Sequence, residues 1–509
     1  MTYLRNLNKI KIRETKQSLN SIMKYSILHI SDLHRIKAED IECIKSSFEV
    51  EKARFEEMGL PPVQLIIVSG DIVDGSKKED AFVAKEEITK QYETAAQFLN
   101  ELCSVFIGPK QEDRQRVVIV PGNHDVSRYV SEHSMEQINH DDNEIETLAD
   151  ALWSDEADIR WSWKTLHFNK ITNRETYNKR FDDFIDFYDK FFSGIREFPK
   201  DPDRQSYLVD IPELNIALAC FNSCYQLDHL RLSGYISPRS LSSLTKPLME
   251  AKRNGRLLVG VWHHHTHGLP NENNYLDYSI LENMVQNGIS LALHGHQHIS
   301  GIVNEYKDVF SEAKLNLVSA GTLYGNAGDL PAAKARQYNL LEIEMDSDNC
   351  NIILRSREDV TALNVMPAWD EGTIGRSKKT SYPIPVTLTP RQKIDEDVLL
   401  QNAINEINLY IEKTGDIDNG VKKFLELGMD KAIVRKYVLE MLQRIGNFQE
   451  IIKLFITPLN DIEAIAVIDS CINVRDKESF KRVLSSGIVK MTSNASLKSI
   501  TEEAKVILK

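Results

Sequence analysis

Acid and imidazole side chains crowd five short stretches of this chain. SDLH carries Asp32 and His34, and SGDIVD carries Asp71 and Asp74 behind Gly70. PGNHD carries Asn123, His124 and Asp125. WHHH supplies His263, His264 and His265, and HGHQH supplies His296 and His298. Each stretch alone is weak, because a DxH or GD pair at a strand end is usually a turn and a single histidine is more often structural. Five together are different. Two of them have the i, i+2 spacing, which in extended backbone puts both side chains on one side, within reach of one ion. Carboxylates mixed with imidazoles suit manganese, zinc or iron.

The elements that must position these residues are short apolar runs. SILHI, VQLIIV, RVVIV, RLLVGV and ISLAL each end at one of the five stretches. NIALACF, LNLVSAG, YNLLEIE and NIILRS have the same character without a motif. They are short, β-branched and almost continuously apolar, as expected for strands buried on both faces. Residues 80–102 have helical spacing instead, so the class is α/β with layered sheets and flanking helices. Loops at the carboxyl ends of such strands build sites. Gly70, Gly122 and Gly295 each precede a candidate residue and let the backbone turn sharply there.

The ordered set D-x-H, G-D-x-x-D, G-N-H-D, H and G-H-x-H resembles the calcineurin-like metallophosphoesterase superfamily. GYISPRSLSSL and VSAGTLYG look like its helix-opening segment and its substrate loop, so the resemblance covers about residues 25–345. It implies a four-layer sandwich of two mixed sheets between helices. It also implies two divalent ions: manganese first, zinc or iron as alternatives. Asp32, His34 and His298 would hold one ion; Asn123, His263 and His296 would hold the other; Asp71 would bridge them. His124 would be the general acid or transition-state stabiliser, oriented by Asp74. The triple histidine leaves the fourth ligand ambiguous. His263 is chosen because it comes first after the apolar run, with His264 and His265 solvated or supporting it. Arg35, His264 and His267 are the candidates for contacting substrate phosphate, and Arg35 and His267 read equally well as surface residues.

Ions so held would activate a bridging water near neutral pH, and His124 would protonate the leaving alkoxide. Phosphoprotein phosphatases of this superfamily carry G-D-x-x-D-R-G and G-N-H-E. Here Gly75 and Ser76 follow Asp74, and Asp125 replaces the glutamate. Both departures argue against that branch, and the G-N-H-D and G-H-x-H forms resemble the branch of phosphodiesterases and nucleases acting on nucleic acid or nucleotides. Cyclic-nucleotide hydrolysis, and a phosphomonoesterase or protein phosphatase, are the alternatives. A catalytically dead scaffold is disfavoured, because every expected ligand is present.

With 509 residues the chain is too long for one core. The expected organisation is an N-terminal extension over 1–25 and a catalytic domain over 26–380. A linker over 381–394 and an α-helical domain over 395–509 follow. Residues 130–205 read as an inserted helical cap, with ten acids and no Lys or Arg between Glu132 and Asp158. A net charge of −13 disfavours a surface that grips nucleic acid unaided. A nuclease would therefore need a partner such as an ATPase, and the acidic cap would act as a gate. The helical domain, with 18 basic and 18 acidic residues from Arg391 to Lys509, is where a protein partner or a second copy would dock. No apolar run is long enough to span a membrane, and residues 1–25 lack a secretory pattern. Six scattered cysteines without a CxxC pair read as reduced thiols of a cytoplasmic protein.

Overall fold

The computed structural model describes residues 22–34, 36–141, 143–152, 158–267, 274–277, 279–307, 314–325, 328, 330–331, 334–346, 349–361, 363–386, 388 and 396–508. The chain divides into two compact units, Met1–Gln392 and Lys393–Lys509.

In the first unit, β1 (Met23–Ile30), β2 (Val63–Val68) and β3 (Val117–Ile119) lie side by side and parallel. An insert then carries β4 (Met135–Gln137), β5 (Ile159–Ser162) and β6 (His167–Ile171). A second sheet follows: β7 (Ser206–Ile211), β8 (Ile216–Phe221), β9 (Leu257–Val261), β10 (Leu291–His294), β11 (Gly301–Lys307) and β12 (Lys314–Ser319). Its spatial order is β11-β12-β10-β9-β8-β7, parallel in the middle and antiparallel at both edges. The chain then returns to the first sheet with β13 (Gln337–Met345), β14 (Cys350–Asp359), β15 (Trp369–Gly372) and β16 (Ser381–Val386). These add antiparallel beside β1, giving the order β15-β14-β13-β1-β2-β3 with β16 also on β14. Both sheets are therefore mixed.

Strand alternation builds four layers. Ile27, Leu65, Ile67 and Val118 of the first sheet share a core with Leu218, Val259, Leu291 and Val318 of the second. Their neighbours Leu28, Ile30, Ile66 and Val68 face the other way, onto the helices Ile41–Glu57 and Ala81–Phe106. On the far side, Ala217, Ala219, Leu258 and Ala292 meet the helices Pro238–Arg253 and Ile280–Gln286. One apolar run thus feeds two cores through its period of two.

Two expectations need correction. The insert is not purely helical: β4, β6 and β5 form a three-stranded antiparallel sheet next to its helices. Strands of three to five residues carry too little alternation to be told from loop. The stretch read as the start of a linker, Ser381–Val386, is an edge strand on β14. Pro383 and Pro385 are tolerated there because one side of an edge strand has no ladder to donate to. Most of residues 387–394, and the extension up to residue 21, lie outside the described residues.

The second unit is built of helices, from Glu396–Thr414 to Ala495–Ile507. Asp416, Asn447, Asn460, Asp476 and Asn494 each cap a helix N-terminus through the side chain, which explains the frequent restarts. Its core gathers Phe424, Val438, Ile451, Phe455, Val467 and Leu497. A buried pair, Arg435 to both oxygens of Glu463 at 2.9 and 2.7 Å, ties two of these helices. Among the described residues no helix is long and apolar enough to cross a membrane.

Candidate metal centre

All five motifs lie just past the carboxyl ends of strands, three in the first sheet and two in the second. Asp32 follows β1, Asp71 follows β2, and Asn123 and His124 follow β3. His263 follows β9, while His296 and His298 follow β10. Because the sheets are packed face to face, these ends meet. The loops cross-bond: Leu33 N–H donates to Asp71 O at 2.8 Å, and Gly295 N–H to His263 O at 3.1 Å.

Four of the candidates sit in left-handed backbone: Asp32 at φ 57°, Asp71 at 53°, His296 at 70° and His298 at 58°. That region is costly for residues with a Cβ, and such strain clusters where side chains must be aimed. The loops are also pressed together. A Cβ on Gly122 would stand 2.2 Å from Asp71 N, and one on Gly70 (φ +96°) would stand 2.5 Å from His263 Nδ1. Glycine is needed at both.

The side chains converge on two neighbouring points. His298 Nε2 is 3.2 Å and His34 Nε2 4.0 Å from Asp32 Oδ1. His263 Nε2 is 3.3 Å from Asp71 Oδ2, and both His263 Nε2 and His296 Nδ1 lie 2.9 Å from Asn123 Oδ1. Three groups have the spacing to hold a cation: Asp32, His34 and His298; Asp32, Asp71 and His263; and His34, Asp71 and His124. Both carboxylate oxygens of Asp32, both ring nitrogens of His34 and Nε2 of His296 are buried without a hydrogen-bond partner. Buried polar atoms are nearly always satisfied. Lone pairs left over on carboxylate and imidazole, converging within a few ångströms, fit divalent cations.

The electrostatics agree. Burial pushes Asp71 up, but His263 and His124 outweigh it and hold the carboxyl well below its ordinary range. Asp32 is likewise held down, by His298 and His263 against burial. Burial depresses His34, and depresses His296 to about 4, so both keep a lone pair to offer. His263 goes the other way: against burial, Asp71 raises it to about 9. The pocket is negative there and favours positive charge, whether proton or metal.

His124 differs from its neighbours. Its side chain is 36% exposed, whereas those of Asp71 and His263 are 2% and 0% exposed. Its backbone N–H donates to Asp71 Oδ1 at 2.9 Å, and its Nδ1 is 3.0 Å from the Asp74 carbonyl. The Asp74 carboxylate is farther, 3.8 Å from the same nitrogen. The backbone of Asp74 is thus nearer to the ring nitrogen than its side chain is. Burial lowers His124, but Asp71 and Asp74 more than offset this and raise it.

Three residues expected to touch substrate fare differently. His264 is fully buried, with Nδ1 2.9 Å from Ser223 Oγ and its ring 4.9 Å from that of His296. Its ring is closed off from solvent. His267 is exposed, and its carbonyl accepts from Gln297 Nε2, between His296 and His298. Arg35 lies outside the described residues. His265 is also buried, its Nδ1 accepting from His267 N–H at 2.7 Å.

Two residues have a supporting role that the sequence alone did not assign. Ser223 Oγ accepts from the backbone N–H of His263 and His264 at 3.2 and 3.3 Å, holding the triple-histidine loop. Its signal was the apolar run NIALACF, which ends two residues before it without any metal-type side chain. Asp125 accepts from Ile72 N–H and Gly122 N–H, at 3.2 and 2.7 Å, and so staples two motif loops.

A family model described as calcineurin-like phosphoesterase matches residues 25–300. Among solved structures, a dimetal phosphatase from Danio rerio is similar at 12% identity, over 71% of this chain and 99% of that one, with a TM-score of 0.37. A putative 5′-nucleotidase from Staphylococcus aureus is similar at 12% identity, over 70% and 57%, with a TM-score of 0.30. The NAD nucleotidase of Haemophilus influenzae is similar at 10% identity, over 69% and 60%, with a TM-score of 0.28. No curated protein matches the sequence. With the family model spanning more than half of its length, across all five motif loops, the chain belongs to the calcineurin-like phosphoesterases.

Proposed function

We propose that this protein hydrolyses phosphodiester bonds of nucleic acid or nucleotides with two divalent ions, manganese by preference. The observation that carries this is the set of buried atoms on Asp32, His34 and His296 that no hydrogen bond satisfies, close to Asp71. Asp32, His34 and His298 hold one ion, Asn123, His263 and His296 the other, and Asp71 lies between. When bound, such ions supply an activated water and offset charge on the phosphoryl oxygens.

The chain's own residues do the rest. His124 is the accessible imidazole of the cluster, raised toward its protonated form. Its Nδ1–H donates to the Asp74 carbonyl, which fixes the tautomer and leaves Nε2 to carry the proton to the leaving oxygen. His264 and Ser223 hold the ligand loop from behind. Gly75 and Ser76 stand where a protein phosphatase of this family has Arg and Gly, which supports a diester over a phosphoprotein. The six unpaired thiols suit a reducing cytoplasm. The helical unit is the surface for a protein partner or a second copy.

A substrate panel with Mn²⁺ tests the reading: bis-(p-nitrophenyl) phosphate, p-nitrophenyl phosphate, cyclic nucleotides, DNA, RNA and a phosphopeptide, with Asp71→Asn as control. Cleavage of the diesters, abolished in the variant, is expected. Activity confined to monoesters or the phosphopeptide would make the protein a phosphatase.

A further inference from the structure

A cavity of about 380 Å³ is walled by Arg160, Arg174, Arg180, Tyr177, Tyr225 and Gln226. Its charge balance is unusual. Arg160 and Arg180 are 4% and 2% exposed, yet among the described residues only Arg160 has a carboxylate partner. Asp228 belongs to Arg160, with Nε to Oδ2 at 2.7 Å, and Tyr177 OH adds a bond to the same oxygen at 2.8 Å. Among the described residues no carboxylate pairs with Arg180. Its contacts are the carbonyls of Leu227, Tyr177 and Tyr225, and the Tyr177 ring 3.9 Å from its Cζ. Three carbonyls occupy three of the five N–H donors of a guanidinium.

Arg174 adds a third cation at the rim, half-exposed and paired with Asp158. The acids on the same wall have partners of their own. Asp201 is 3.5 Å from Arg204, and Asp203 accepts from Arg239 at 3.1 Å and Tyr225 OH at 3.0 Å. One buried cation therefore remains in excess, against a cavity large enough for a small ligand. Buried charges are costly unless paired, and paired guanidinium forks match phosphate geometry.

We infer that this cavity is an anion site that takes a phosphate group, separate from the metal cluster. It is mechanically joined to that cluster. The Arg180 carbonyl accepts from Ser127 N–H at 2.8 Å, two residues past Asp125. Tyr225 and Gln226 follow Ser223, which holds the histidine loop. The phosphate belongs either to the substrate, as a second phosphate beyond the scissile one, or to a free regulator. The inference stands on the arginine pocket and not on the diester reading.

The test is calorimetric titration of the full chain, as purified, with inorganic phosphate. Wild type, Arg174→Ala, Arg180→Lys and His296→Ala are compared, each first checked for a cooperative melt. Saturable binding at millimolar phosphate is expected, weakened roughly tenfold or more in the arginine variants and kept in His296→Ala. Arg174 is half-exposed, so its variant stays informative even if Arg180→Lys misfolds. Absent binding, or binding lost in His296→Ala and untouched by Arg174→Ala, overturns the inference. Kinetics then separate the two sources. A KM raised by Arg174→Ala only for diesters bearing a further phosphate marks a substrate group. A phosphate-dependent kcat on bis-(p-nitrophenyl) phosphate, abolished by Arg174→Ala, marks a regulator.

Discussion

The hydroxyl of Tyr92, in the helix Ala81–Phe106, donates to Oδ1 of Asp125 across 3.1 Å inside the core. The same carboxylate accepts from Ile72 N–H and Gly122 N–H, so one buried side chain joins a helix to the loops of Asp71 and Asn123. Asp125→Ala strands two buried amides and a hydroxyl and is expected to cost about 3 kcal/mol, whereas Tyr92→Phe costs about 1 kcal/mol. Urea denaturation of both variants measures this. Equal losses would show that the amide bonds contribute nothing beyond the Tyr92 contact.

Elemental analysis of the purified protein is expected to find roughly two divalent ions per chain, and a lower content in Asp71→Asn. Because ions bind only the folded cluster, chelation should lower the melting temperature of wild type more than that of the variant. Wild type that carries no metal, and melts alike with and without chelator, would leave the orphaned atoms of Asp32 and His34 unexplained.

How far the sequence reaches follows from the kind of signal each part leaves. The buried strands are legible because each is a β-branched run ending at a turn. The five motif loops are legible because acids and histidines at the end of such runs have no reason to be there in an ordinary core. Asn123, His263 and His296 indeed meet within hydrogen-bond distance although they are far apart in sequence. Ser223 left no such mark, since a serine after a strand is unremarkable until its neighbours are known. The same holds for His29 and His294, buried imidazoles inside or at the end of strands that read simply as apolar. The sheet of the insert and the edge strand Ser381–Val386 were hidden by shortness and by proline. The contact between His124 and the Asp74 carbonyl could not be read at all, because every residue has a carbonyl.

Variants of His124 and Asp74 separate the ring from the groups that surround it. His124→Ala removes the exposed imidazole and is expected to lower kcat by about 10² to 10⁴ with metal content unchanged. Asp74→Ala keeps the carbonyl that receives Nδ1–H and loses only a half-exposed carboxylate 3.8 Å away, so its loss should stay within about tenfold. Steady-state rates on a diester decide. If the two variants lose equally, the carboxylate and not the backbone orients the ring.

The buried Asp228 gives the first unit a calculable acid limb. Burial pushes its carboxyl up, but the Arg160 guanidinium beside it, with further hydrogen bonds, holds it below the ordinary range. The unfolded chain releases this proton at about pH 3.9. The pair therefore stabilises fully above that pH, and its contribution is lost as pH falls through the lower, folded value. Asp228→Asn leaves the buried Arg160 guanidinium without its carboxylate and is expected to cost about 3 kcal/mol at neutral pH. The difference from wild type should shrink steadily as the solution is acidified past the unfolded value, because both proteins then carry a neutral group at this position. Denaturant midpoints of wild type and variant, measured side by side from neutral pH into the acid range, report that difference free of the other carboxylates. A gap that stays constant with pH would mean that the shape of Asp228, rather than its charge, holds Arg160 and Tyr177 in place.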